Sequence, residues 1–152
     1  MALFHRIVQE HRAATAMDGE GARRFGGRWN SPGWPAVYLA ESRALAALEI
    51  LVHAPREALL LDWVVIGLEI PDAFIEKIPL SDLPANWRAT PSSSAAQAFG
   101  GAWLKAGRGL AVLLPSAVIP EEHALVLNPL HPRMRELKPG KPHPFHFDPR
   151  LG

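Results

Sequence analysis

Hydrophobic positions along this chain gather in short runs broken by glycine, proline and charge. Residues 3–8 (LFHRIV) read as an opening strand and residues 36–40 (AVYLA) as a second, short one. Ser42 then stands as an N-cap, its hydroxyl able to meet free amides of the first turn, ahead of a helix running to about His53. Residues 61–70 (LDWVVIGLEI) are rich in β-formers and long enough for a buried strand. A further helix is predicted from Ser92–Ser94 to Lys105, with Ala95, Phe99, Ala102 and Trp103 on one face and Gly100 and Gly101 weakening it. Residues 109–114 (GLAVLL) and 123–127 (HALVL) read as strands joined by the turn PSAVIPEE. Between these elements, residues 18–34 read as a long Gly-rich loop. Residues 71–91, with prolines at 71, 79, 84 and 91, read mostly as loop. Phe145 and Phe147 in the Pro-rich end predict that this segment packs back onto the domain.

Strands outnumber helices and do not alternate with them, which predicts a mixed α+β fold rather than βαβ units. The length of 152 residues fits one domain spanning 1–152. Fifteen prolines predict many short elements. The absence of cysteine excludes disulfides and thiolate chemistry and leaves no argument for secretion. No apolar run is long enough for a signal peptide or a membrane span, so a cytoplasmic location is expected. A formal charge of +1 gives no footprint for nucleic acid.

Candidate chemistry rests on a few residues. Glu49 lies in ALAALEILV, a helix apolar on all sides, where Leu45, Leu48, Glu49 and Val52 share a face. A carboxylate there must titrate abnormally, pair with an arginine or line a pocket. A structural ion pair or a glutamate reaching solvent is the competing reading. GARRFGGRWNSPG, residues 21–33, combines flexible backbone with Arg28, whose rigid fork of donors matches phosphate oxygens. It is neither a Walker loop nor a dinucleotide fingerprint, and a structured loop with a surface arginine competes. Tyr38, the only tyrosine, could stack on an aromatic ligand or fill the core. Arg6 is a second candidate for phosphate or a strand-edge surface residue. Ser116, just after a strand, could orient a ligand hydroxyl or support a turn. The seven histidines lack metal-ligand spacing, and no GxSxG motif occurs, so no metal site and no serine hydrolase are expected.

Taken together, residues 21–53 (GARRFGGRWNSPGWPAVYLAESRALAALEILVH), 113–132 (LLPSAVIPEEHALVLNPLHP) and 145–151 (FHFDPRL) resemble the RES-domain family, as does the opening FHRI. The combination of GGRWN, YLAES and a glutamate on the next helix is specific to it. His123–Ala124 departs from the family, which commonly has Asn shortly before the LNP segment. The resemblance implies a compact α+β domain similar to ADP-ribosyltransferase toxins, with mixed or antiparallel sheets and short helices around a cleft for NAD. It implies the toxin of a type II toxin–antitoxin pair, neutralised by an Xre-type helix-turn-helix antitoxin and acting on NAD as substrate rather than cofactor, with a homodimer within that complex conceivable. Inorganic phosphate is a potential co-substrate. The implied catalytic residues are Glu49, Arg28 and Ser116, and the implied NAD-binding residues are Arg6, Arg28, Tyr38 and Asn128, the last in the LNP segment. Phosphorolysis, hydrolysis and ADP-ribosyl transfer to a protein share the first bond cleavage and stay open. A non-catalytic nucleotide-binding module is the alternative outside enzymes.

Overall fold

The computed structural model describes residues 1–152. In chain order the elements are β1 (Ala2–Gln9), α1 (Glu20–Phe25), β2 (Val37–Ala40), α2 (Arg43–Leu51), β3 (Trp63–Ile70), β4 (Ile75–Lys77), α3 (Ser94–Ala106), β5 (Ala111–Pro115), β6 (His123–Leu127) and β7 (His143–Phe145), with short 3-10 turns between them. The seven strands form one sheet in the order β4-β5-β6-β2-β1-β3-β7. Only β4 and β5 run parallel; every other pairing is antiparallel. The α+β expectation therefore holds, as a single mixed sheet.

Strand alternation divides the core between two faces. On one face Val37 and Leu39 of β2 meet Leu125 and Leu127 of β6, Phe4 of β1 and Leu68 and Ile70 of β3. On the other, two separate covers sit side by side. Helix α2 places Leu45 and Ala46 against Ile7, Ala40 and Val65. Helix α3 and Trp29 cover Val112, Leu114 and Val126. The candidate site lies at the seam between these covers. Phe147 joins the α2 cover, edge-on to Trp63 at 5.6 Å, so the Pro-rich end does fold back.

Several elements differ from expectation. The stretch 18–34 holds the helical turn α1, entered through Gly19 at φ 73° and left through Gly26 at φ 77°. Strand β4 lies inside the proline-rich 71–91, because three residues fit between Pro71 and Pro79 as a parallel edge. Helix α2 is not buried all round: only Leu45 and Ala46 are fully buried, and Val52 just beyond its end is 55% exposed. Helix α3 buries Ala96, Gly100 and Leu104 rather than the predicted stripe, although Phe99 and Trp103 pack at its margin. The reason is close approach. A Cβ on Gly100 would stand 1.9 Å from the Trp29 carbonyl oxygen, so the helix seats its smallest residue where the backbone of the Gly-rich loop passes. Both long helices begin as expected, with Ser42 accepting from the Leu45 amide and Ser93 from that of Ala96.

Candidate active site

The Gly-rich loop is built from the inside out. Asn30 is fully buried, and its Nδ2 donates to the carbonyls of Ala22, Ser31 and Trp34. Its Oδ1 accepts the Tyr38 hydroxyl at 2.5 Å, and that hydroxyl in turn accepts the Trp29 amide at 3.1 Å. Burial pushes the Tyr38 phenol well above its ordinary range, which keeps it neutral and able to donate. Gly27 is tied to this arrangement, because a Cβ there would meet the Tyr38 hydroxyl at 2.7 Å. From the other side Gln97 of α3 donates to the Gly27 carbonyl at 3.0 Å. Arg28 is thus carried on backbone gripped by both the sheet and α3.

The Arg28 side chain reaches the segment before α3. Its Nη1 donates to the carbonyls of Trp87 at 2.9 Å and Ala89 at 2.7 Å. Trp87 stacks on Trp29, with centroids 6.2 Å apart and planes within 16°. No carboxylate lies within ion-pair distance of Arg28, unlike Arg23, Arg133 and Arg150. Desolvation draws the Arg28 pKa down, the Glu49 carboxylate opposes this, and Arg88 adds to the lowering. The guanidinium stays cationic at any physiological pH.

Glu49 is half-buried on α2 and accepts the Ser116 hydroxyl at 2.8 Å. Ser116 is itself buried and accepts the amides of Val118 at 3.1 Å and Ile119 at 3.2 Å. Of the two readings of Ser116 the turn is seen: it shapes the turn after β5, and it also directs its proton at Glu49. Arg88 completes the circuit, its Nε donating to the carbonyl of Ala117 at 2.9 Å.

The structure thus brings Arg28, Glu49 and Ser116 to one seam, with Tyr38 beneath as a support for the loop. Arg6 is linked to this group only through β2, its Nη1 on the Tyr38 carbonyl at 2.9 Å and its Nε buried without a partner. Desolvation is the main cause of its lowered pKa, with Asp18 opposing. Asn128 is not brought to this group. It follows β6 next to Leu110, at the far end of the ladder whose other end pairs Pro115 with His123. Its Nδ2 donates to the Leu104 carbonyl and its Oδ1 accepts the Leu130 amide, so it fastens the end of α3 to the sheet.

Asn30, Gln97 and Arg88 were not singled out by sequence. Gln97 had a signal, as the one polar side chain between Ser94 and Trp103; Arg88, flanked by Trp and Ala in a loop, had none. A separate concavity of about 510 Å³ lies along β4, but there Arg133 is already paired with Glu136 and stacked on Phe74.

A family profile described as the RES domain matches residues 3–148. The chain is 39% identical over 150 residues to "Toxin Res" of Yersinia enterocolitica, covering 98% of this chain and 99% of that one. It is 37% identical over 153 residues to the "Prs ADP-ribosylating toxin" of a Sphingobium strain, covering 97% and 95%. The "NAD(+) phosphorylase MbcT" of Mycobacterium tuberculosis shares 51% identity over a stretch of 47 residues, 30% of this chain and 24% of that one. A crystal structure of the M. tuberculosis MbcT–MbcA toxin–antitoxin complex matches the fold with a TM-score of 0.78 at 27% identity, over 99% of this chain and 86% of that chain. Profile, sequence and three-dimensional likeness agree that the chain belongs to the RES-domain family.

Proposed function

We propose that this chain is the toxin of a type II toxin–antitoxin pair and that it degrades NAD by breaking the nicotinamide–ribose bond. The observation that carries the reading is the seam itself. A carboxylate held by a buried serine faces an arginine with no carboxylate partner, in a chain related over its whole length to RES toxins. The names of the relatives supply the substrate: one is an NAD phosphorylase and another an ADP-ribosylating toxin, and both activities begin from NAD.

Departure of nicotinamide leaves positive charge on the ribose. Glu49 stabilises that charge, a contribution of roughly 3–4 kcal/mol for a preorganised group of this kind. Ser116 holds Glu49 in place rather than attacking, since its proton is given to Glu49 and its lone pairs to two amides. Arg28 and Arg6, cations without carboxylate partners, take the diphosphate. Tyr38 keeps the Arg28 loop in register through its hydroxyl. Inorganic phosphate as the acceptor gives phosphorolysis; a protein side chain as the acceptor gives ADP-ribosylation. We place residues 1–152 in one working unit in the cytoplasm, and the solved complex of the structural relative supports an antitoxin partner, for which an Xre-type protein is our assignment.

The test is NAD consumption by purified protein with and without phosphate, beside Glu49→Gln. Glu49→Gln is expected to lower turnover by about 10²–10³-fold with unchanged thermal unfolding. Wild-type turnover that survives this substitution refutes the assignment, and phosphate dependence separates phosphorolysis from hydrolysis or transfer.

A further inference from the structure

Arg88 has no part in the reading above, yet it stands in the same seam. The segment from Trp87 to Ala89 spans from Arg28, held by the carbonyls on either side of Arg88, to Ala117, held by Arg88 itself. Arg88 uses only its Nε on the protein; neither terminal nitrogen has a protein acceptor, and no carboxylate lies within ion-pair distance. Arg28 likewise uses only Nη1. Two guanidinium groups are therefore tethered through one short segment, with several N–H donors unused and no acidic residue paired to either. Like charges kept close with no carboxylate in ion-pair contact raise the affinity of the space between them for an anion, although Glu49 lies near enough to Arg28 to offset part of this, and planar forks of donors select phosphate oxygens among anions. The Arg88 charge also reaches Arg28, in the direction expected of neighbouring cations.

From this we infer that Arg88 is a further phosphate ligand, which with Arg28 forms a paired-guanidinium site for a phosphate or diphosphate group. The inference rests on the NAD reading only for the source of that group, which is the dinucleotide's own diphosphate or free inorganic phosphate. Because Arg88 sits on the segment that also holds Arg28, one bound phosphate contacts both guanidinium groups, and the anion takes over donors that now face solvent.

The experiment is calorimetric titration of ADP, inorganic phosphate and adenosine into the wild-type chain, Arg88→Gln and Arg88→Lys, with thermal unfolding of each as a check on folding. ADP or phosphate is expected to bind the wild type, and Arg88→Gln to weaken it by about tenfold or more, the loss of one charge-assisted contact. Arg88→Lys should recover part of this, and adenosine should be indifferent to all three. The ligand that responds identifies the source: ADP alone points to the dinucleotide, inorganic phosphate to the second substrate. No binding of either to the wild type overturns the inference. So does a loss below tenfold in Arg88→Gln, or an equal loss in Arg88→Lys, which would make the Ala117 contact rather than the charge the cause. NAD turnover is measured separately: its absence with ADP binding intact strikes the catalytic reading and leaves the anion site standing.

Discussion

At the scale of single residues, the hydroxyl of Tyr38 shows how little of a site's support is visible in its most suggestive side chains. It accepts the Trp29 amide, donates to Asn30 and rests against Gly27, so it organises the arginine loop from below. Tyr38→Phe keeps the ring and strands a buried amide and a buried amide oxygen. The expected loss is about 1–3 kcal/mol of stability, read as a lower urea midpoint at an unchanged slope. NAD turnover falls with it as Arg28 loses register; an unaltered midpoint means the hydroxyl carries no structural load. Residue type alone made Glu49 and Arg28 candidates, because a carboxylate in an apolar helix and an arginine among glycines are locally improbable; Ser116 owed its place to the family resemblance. Their meeting was not readable, since Ser116 is 67 residues from Glu49 and Trp87 is 59 from Arg28. Asn128, which carried a family signal, lies away from this group and fastens the end of α3.

At the scale of elements, two adjacent glycines in α3 answer to different forces. Both were read as weak points, which is correct only for one. Nothing lies within 4 Å of a Cβ built on Gly101, whereas one on Gly100 collides with the Trp29 backbone. Gly101→Ala is therefore expected to stabilise the protein by up to about 1 kcal/mol through helix propensity. Gly100→Ala should destabilise it by about 1–3 kcal/mol or more, as overpacking of a closed core does. Paired denaturant curves decide the matter, and equal effects of the two substitutions would refute the close-packing account. The predicted face of α3 erred for the same reason: ranking positions by size selects Phe99 and Trp103, while the deepest contact needs no side chain. Strand β4 and helix α1 escaped notice because each is too short to establish a period between its bounding prolines or glycines. Elements with caps and long apolar runs, α2 and β3 above all, were legible within a few residues.

At the scale of the whole molecule, one half-buried imidazole in the middle of the sheet couples stability to pH. His5 on β1 pairs with Ala40 of β2, and its Nδ1 is buried without a partner. Burial first, and the nearby Arg43 second, draw its pKa below the ordinary 6.5. The folded chain thus holds a neutral ring where the unfolded chain takes up a proton. Stability attributable to His5 is complete above about pH 6.5 and declines as pH falls from there toward the lowered folded value. Unfolding midpoints measured at pH 7.5 and 5.5 should differ less in His5→Gln than in the wild type. An identical drop in both would place the acid sensitivity elsewhere. The sheet order itself was beyond sequence reading, because β2 lies between β1, its close neighbour in the chain, and β6, which arrives more than eighty residues later.

That interval has a consequence for a cell that makes such a protein. A ribosome that has completed Arg28 and Glu49 has yet to add Arg88, Ser116 and the strand that closes β2 into the sheet. A nascent chain, or a product released early, holds half of the seam and nothing to clasp it. Vectorial synthesis therefore delays any threat to the NAD pool until the last quarter of the polypeptide has emerged, leaving that interval for a partner to be made alongside it.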